Sequence, residues 1–330
     1  MIDFTALPKK NKAYAGANGS KISVIYNDAQ YMLKFPPTPS LNKEMSYTNS
    51  CISEYIGCHI FESVGIPAQE TQLGTYTVRG KEKVVVACRD FTSVGVVLQD
   101  FASLKNQIID SVRSGYGTEL SDILQTFDEQ SAIDSQALTE RFWDMFIIDA
   151  LIGNWDRHNG NWGFLYDTRT DKISLAPVYD CGSSLFPQAD DGIMQRVVNE
   201  KNELNLRVFS IPTSAIQINS KKINYFDFMS SLEYDGCNLA LKRIMPRIDM
   251  DKIYRLIDGI PVISELQRTF YKTILRERKS RILGYSLNAL IQKEHEQRPR
   301  ESVLKNLAAA KEAVEKSDTR KTAKHKELEK

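Results

Sequence analysis

The sequence predicts an α+β protein in two lobes. Three observations carry that reading. Residues 1–88 hold short β-branched and aromatic runs broken by turn-forming pairs. From Phe91 onward, apolar residues recur at three- and four-residue spacings. Between two apolar segments, polar residues gather in one stretch, 153–164. The expected organisation is a β-rich lobe over 1–88, a helical lobe over 89–293 and a charged tail over 294–330.

In chain order, Lys21–Tyr26 and 30–35 read as strands joined through the turn pair Asn27 and Asp28. Pro36, Pro37 and Pro39 end the second strand, because proline cannot donate to a ladder. Asn49 or Ser50 is placed to cap a helix running to Val64, with Gly65 suited to the left-handed position after it and Pro67 following. Thr71–Val78 and 83–88 return to strand character, with Arg79 and Gly80 between them.

The strongest helical signal is 138–152, where Phe142, Trp143, Phe146, Ile147, Ala150 and Leu151 keep the helical period. Segments 162–166 and 173–176 read as a hairpin turning at 167–171. Further helices are expected at 225–232, 238–245, 250–257, 262–276 and 278–293. In the tail, Val303, Leu304, Leu307, Ala310 and Val314 fit one weak amphipathic helix, and disorder is expected beyond Ser317.

Composition removes several function classes. The chain has 330 residues, 42% of them hydrophobic and 26% charged, which is ordinary for a folded domain of this size. A net charge of +1 gives no global electrostatic footprint for nucleic acid. The five cysteines, Cys51, Cys58, Cys88, Cys181 and Cys237, form no CxxC pair and are odd in number. Free thiols are therefore expected in place of a zinc site or a disulfide framework. The first residues lack the apolar core of a signal peptide, and no run reaches the ~18 apolar residues of a membrane span. A cytoplasmic protein without membrane insertion is the expectation.

The chemistry concentrates in three places. Asp156 and Asn161 stand five apart in the polar stretch after the strong helix, the Asp-x₄-Asn spacing of a kinase catalytic loop. In that chemistry the Asp orients the attacking hydroxyl and the Asn offers an amide oxygen to Mg²⁺. His158, between them, is a candidate catalytic group or a structural hydrogen-bonder. Asp180 follows a short apolar strand and precedes Cys181 and Gly182, a setting for a second metal-binding carboxylate. The expected hairpin brings Asn161 and Asp180 to one end.

Upstream, Gly16, Ala17, Asn18, Gly19, Ser20 and Lys21 form a Gly-rich segment whose backbone N–H groups can meet phosphate. Lys34, at the end of the second strand, is the candidate phosphate-binding point charge, and Glu54 on the next helix is its candidate partner. Each of these has an ordinary alternative: a turn, a solvated edge lysine, a surface glutamate. Their shared order along the chain argues for one site.

These residues are also where the chain resembles the HipA-like serine/threonine kinases. The resemblance is carried by Ala15, Gly16 and Ala17; by Tyr31 to Pro36; by Ser53, Glu54 and Tyr55 with Val64 to Pro67; by Ile152 to Asn161; and by Leu175 to Asp180. It implies a bilobal protein-kinase-like fold with ATP in the cleft, Asp156 as catalytic base, Asn161 and Asp180 as ligands of Mg²⁺ (Mn²⁺ the alternative), and Lys34 on the phosphates. It implies a hinge near 86–90, Ala87, Cys88 and Arg89 included, whose backbone meets adenine. Phosphorylation of a protein substrate and autophosphorylation are the implied activities.

Segment 181–216 is the expected activation loop, with Ser183, Ser184 and Ser210 as candidate phosphosites. Many family members carry a further N-terminal subdomain, whereas this chain begins almost at its Gly-rich segment, so neither an antitoxin partner nor a DNA-linked role is carried over. The resemblance adds translocation into host cells as a destination. Asp156 to Asn161 also resembles the catalytic loop of phosphoinositide kinases, which keeps a lipid kinase open beside a protein kinase. A nucleotide-binding scaffold without catalysis is the third reading.

Overall fold

The computed structural model describes residues 1–14, 20–37, 48–109, 113–297 and 310–312. Gly16, Ala17, Asn18 and Gly19, and most of the expected tail helix, lie outside them. Two units are distinguished, Met1–Leu287 and Asn288–Lys330. The first holds every residue of the site described below. In the second, residues 288–297 and 310–312 are helical.

The N-terminal part is a six-stranded sheet. Its strands are β1 (Ile2–Asp3), β2 (Lys9–Lys10), β3 (Lys21–Tyr26), β4 (Ala29–Lys34), β5 (Thr71–Val78) and β6 (Lys81–Arg89), in the order β1-β5-β6-β4-β3-β2. Asn27 and Asp28 both take positive φ, as a tight hairpin turn between right-twisted strands requires. Side chains alternate between the two faces. Tyr31, Leu33, Val85 and Ala87 join Phe4 and Tyr76 in one apolar cluster, whereas Val86 and Cys88 pack on the other face with Cys51. Cys51 belongs to α1 (Ser50–Ser63), so that second face is the one the helix covers. Gly65 ends this segment with φ of 82°.

Asn49 occupies the N-cap position of α1 but makes no capping bond. Its side chain instead donates to Ala189 O (2.9 Å) and accepts from Gln267 Nε2 (3.1 Å). The expected cap is thus a tie between α1 and the helical part.

The C-terminal part is built round α4 (Ser135–Ile152). Every residue from Met145 to Ile152 in it is buried, so the helix is a core element on all sides. It is preceded by α2 (Phe101–Ile108) and α3 (Leu120–Glu129). It is followed by α5 (Asp191–Asn199), α6 (Lys201–Asn205) and a π-helical turn at Leu206–Ser210. Then come α7 (Tyr225–Ser231), α8 (Asp235–Ile244), α9 (Met250–Asp258), α10 (Glu265–Arg278) and α11 (Tyr285–Gln297). Ser264 and Gln267 form a reciprocal capping box at the start of α10.

Two features depart from the sequence reading. β7 (Val96–Asp100) pairs antiparallel with β8 (Gly163–Asp167), and β8 with β9 (Lys172–Leu175), so the expected hairpin gains a third strand. The expected activation loop contains α5, α6 and the π turn, and it runs into a second hairpin, β10 (Thr213–Ile218) with β11 (Lys221–Asn224). Among the described residues no helix is long and apolar enough to cross a membrane. All five cysteines are buried free thiols, as expected.

Candidate active site

The catalytic-type loop starts where α4 ends. Gly153 takes the left-handed conformation (φ 64°) and donates to Asp149 O, closing the helix. Asp149 is a carboxylate in an otherwise apolar helical turn, 1% exposed. It accepts from Asn154 Nδ2 (3.0 Å) and from Arg157 Nε and Nη2 (3.0 and 3.3 Å). Arg157, also buried, donates onward to Asn161 O (2.8 Å), to Tyr179 O and to Cys181 Sγ (3.4 Å).

One guanidinium therefore joins the helix end, the loop and the strand-to-turn segment bearing Asp180. Burial is the largest single influence and opposes the charge of Arg157, but Asp149 and Cys181 together more than offset it, and the pKa stands well above the ordinary value. For Asp149 the balance is reversed: burial pushes its pKa up against the pull of Arg157.

On that frame sit the expected reactive groups. The Asp156 N–H donates to Asn154 Oδ1 (3.1 Å), and its carbonyl accepts from Asn161 Nδ2 (2.8 Å). The Asp156 side chain remains 39% exposed, open to an incoming group. Burial raises its pKa, with His158 lowering it and Asp180 raising it further. His158 Nδ1 accepts from Gly160 N (3.0 Å), which places the neutral ring's proton on Nε2, 3.9 Å from Asp156 Oδ1. His158 thus shapes the loop and sits beyond hydrogen-bond reach of the carboxylate.

Opposite, Lys34 Nζ lies 3.1 Å from Glu54 Oε2 and 3.0 Å from Asp180 Oδ1. β4 delivers the lysine, α1 the glutamate and the turn after β9 the aspartate, three elements far apart in sequence. Burial disfavours the charge on Lys34, yet Asp180 and Glu54 more than offset it and hold the ammonium protonated well past its ordinary range. Lys34 in turn holds Asp180 below the usual carboxylate range, against burial. Asp180 takes φ of 59°, uncommon for a non-glycine residue and typical of constrained sites. A Cβ at Gly182 would stand 3.0 Å from Glu54 Oε2, so glycine there lets the backbone pass the ion cluster.

Lys34, Glu54, Asp156, Asn161 and Asp180 line one cleft of about 670 Å³, a volume suited to a nucleotide. Lys21 lines it too, its pKa lowered by burial and by the charge of Lys34. Ser20 accepts from Phe35 N (3.1 Å) through its carbonyl at the start of β3.

The expected adenine-facing stretch needs correction. Ala87 and Cys88 lie inside β6, fully buried, with β4 paired on one side and β5 on the other. Their backbone groups are engaged by those neighbours. Arg89 is likewise occupied, donating through its N–H to Glu70 O and accepting from Gln69 Nε2. The cleft wall resumes at Asp90, Phe91 and Thr92.

Asp90 gathers Lys12 Nζ (2.6 Å), Tyr14 OH (2.9 Å) and Gln30 Nε2 (3.1 Å), a network the sequence reading missed. It also missed Asp149 and Arg157. The available signal was one carboxylate inside an apolar helical run.

A divalent cation fits the donor set. With Nδ2 of Asn161 spent on Asp156 O, its Oδ1 is the free oxygen. With Oδ1 of Asp180 on Lys34, Oδ2 remains. Among the described residues there is no cluster of three or more His, Cys, Asp or Glu side chains suited to a metal. Two protein oxygens are what Mg²⁺ takes when phosphates and water complete its shell.

The model of the HipA-like C-terminal domain family matches residues 12–245. The chain belongs to this family. A curated relative, the serine/threonine-protein kinase CtkA of Helicobacter pylori strain J99, is 51% identical over 284 residues, 86% of each chain. The crystal structure of a Helicobacter pylori proinflammatory kinase CtkA superposes with a TM-score of 0.83 at 49% identity, covering 88% of this chain and 98% of that one. HipA of Shewanella oneidensis MR-1, solved with HipB and operator DNA, gives a TM-score of 0.53 at 15% identity, over 85% and 68% of the two chains. That last likeness concerns the fold alone. The α+β architecture, sheet-rich then helical, is therefore the one the kinase relative has. A kinase relative implies ATP and a divalent metal in general terms.

Proposed function

We propose that the chain is an ATP-dependent, Mg²⁺-requiring serine/threonine protein kinase that phosphorylates a protein hydroxyl and also itself. The observation that carries this reading is Lys34 bridging Glu54 and Asp180, in the same cleft as Asp156 and Asn161.

In this reading Lys34 meets α- and β-phosphate oxygens, and Glu54 holds its ammonium in place. Asn161 and Asp180 would hold the metal, which would supply charge neutralisation at the phosphates. Asp156 accepts a hydrogen bond from the incoming Ser or Thr hydroxyl and takes its proton. The hydroxyl oxygen bonds to the γ-phosphorus as the bond to the β-phosphate oxygen breaks, leaving ADP. Positioning and electrostatics supply most of the acceleration in such a transfer. For adenine we assign the wall at Asp90, Phe91 and Thr92.

Asp156→Ala, at a partly exposed side chain, should cut transfer by about 10²- to 10⁴-fold, the usual contribution of a positioned proton acceptor, with the melting temperature unchanged. Purified protein with γ-labelled ATP and Mg²⁺ is the assay, followed by mapping of labelled residues. Label in Ser or Thr supports the reading. Label in added phosphoinositide and none in protein would overturn it.

A further inference from the structure

The catalytic loop carries one residue that the kinase reading leaves without a role. Asn159, three positions after Asp156, is fully buried. Its side-chain amide donates to Gly115 O and to Gly117 O (2.8 Å each), and its carbonyl accepts from Ala102 N (3.0 Å). Asn159 thus ties the loop to two other places, the first turn of α2 and the segment 115–117. Those two are also pressed together: a Cβ at Gly115, whose φ is 78°, would fall 1.9 Å from Ala102 O.

Each place presents one side chain to the cleft. From the end of β7, Asp100 caps α2. Its Oδ1 accepts from Ser103 N (2.8 Å) and Ser103 Oγ (2.6 Å), and its Oδ2 accepts from Tyr116 OH (3.2 Å). These three donors are neutral, so they orient the carboxylate and leave its charge in place. Tyr116 stands between the two carbonyls that Asn159 holds and is 52% exposed. Its ring lies against the catalytic loop: a Cβ at Gly160 would meet Tyr116 Cε1 at 2.9 Å and His158 Cε1 at 3.0 Å. The centres of the Tyr116 and His158 rings are 6.4 Å apart, and His158 Nε2 is 3.9 Å from Asp156 Oδ1. Asp100, Tyr116, His158 and Asp156 line one cleft. A chain of contacts therefore runs from Asp100 to the carboxylate that receives the acceptor hydroxyl.

A fixed carboxylate beside an open aromatic face suits a cation: the carboxylate pairs with its charge, and the ring face attracts it. The nucleotide phosphates are anionic and would be repelled by Asp100. A basic side chain of the protein substrate has the matching charge.

We infer that Asp100 and Tyr116 form a subsite for an arginine or lysine side chain of the protein substrate, close to its acceptor hydroxyl. The inference rests on the kinase reading and gives that reading a substrate class. Arginine fits best, because its guanidinium can bond Asp100 Oδ2 along one edge while its plane lies on the Tyr116 ring. The subsite is partly open to water, so the combined effect is about tenfold.

The test uses the full chain and serine peptides in an alanine background, with one Arg moved through the positions on either side of the serine. Wild type should favour at least one Arg peptide over the all-alanine parent by about tenfold in kcat/KM, mostly through KM. Asp100→Asn removes the charge and keeps the helix cap, since Asn caps as well as Asp. It should lose most of the preference, with KM for ATP and the melting temperature unchanged, a split that a merely structural role would not give. Tyr116→Phe keeps the ring and should retain more of the preference than Tyr116→Ala. Equal use of all peptides by wild type, an undiminished preference in Asp100→Asn, or no use of any peptide by a protein that phosphorylates itself would overturn the inference alone. A raised KM for ATP in Asp100→Asn with the peptide preference intact would assign the carboxylate to the nucleotide and overturn it too. No transfer to itself or to any peptide would overturn the kinase reading, and this inference with it.

Discussion

Two charged clusters shape the site, one behind the cleft and one lining it. Asp149, Asn154 and Arg157 are buried to within a few per cent and satisfy one another almost completely. Lys34, Glu54 and Asp180 also pair, but Asp180 keeps 44% of its side chain in the open. The first cluster has nothing left to offer a ligand. It turns the end of α4 into a fixed loop and holds Asn161 and Asp180 at one end of the hairpin. The second is charged, aimed into the cleft and only partly neutralised. Damage to the first should therefore cost folding and activity together, whereas loss of Asp180, the open member of the second, should cost activity alone.

The largest expected break in that contrast is Asp149→Ala. It strands the Arg157 guanidinium in the core, and leaving one half of a buried pair costs about 3–5 kcal/mol. Urea unfolding should show that loss, with phosphate transfer falling in parallel. A stable Asp149→Ala protein with normal transfer would dissolve the distinction between the clusters.

A smaller effect is expected at their junction. Gly57 of α1 faces Cys181, and an added Cβ would lie 2.6 Å from Cys181 Cβ, closer than packing allows. Gly57→Ala should cost about 1–3 kcal/mol and disturb the approach of Glu54 to Asp180. The checks are thermal unfolding and KM for ATP, both of which should worsen.

The smallest effect concerns Asp90, which belongs to neither cluster. Burial works against its charge, but Lys12, Thr92 and Tyr14 outweigh burial and lower its pKa. Its folded pKa lies below the unfolded value of about 3.9, so its contribution is present above that pH and is lost as pH falls through the folded pKa. In Asp90→Asn the acid limb of the stability curve should be shallower than in wild type. Denaturant midpoints measured from pH 5 downward would reveal it.

Much of this was legible in the sequence because the signals are local. The turn pair Asn27 and Asp28, the stop at Gly65 and the apolar period of α4 report on their own neighbourhoods. β7 escaped because Val97 and Leu98 are both exposed, so the run lacks the alternation of a half-buried strand. β10 escaped because 181–216 was read as a loop, and β11 because 217–224 received no assignment, although Ile216, Ile218 and the Asn219-Ser220 pair carried a strand-and-turn signal.

That Asp156, Asn161 and Asp180 would come together in one cleft was readable from spacing. Ala87 to Arg89 were misassigned because whether a backbone group is free depends on which strands flank it, and β6 turned out to be interior. Lys34 and Glu54 each look ordinary alone; only the packing of β4 on α1 makes them a pair. Asp149 and Arg157 were invisible as a unit for the same reason.

The central claim is that the open cluster serves phosphoryl transfer and little else. The most direct test is Asp180→Ala, measured for both γ-phosphate transfer to protein and thermal unfolding in one preparation. Transfer should fall by orders of magnitude, with an unfolding curve close to that of wild type. Full transfer by Asp180→Ala, or loss of the fold along with the activity, would contradict the account.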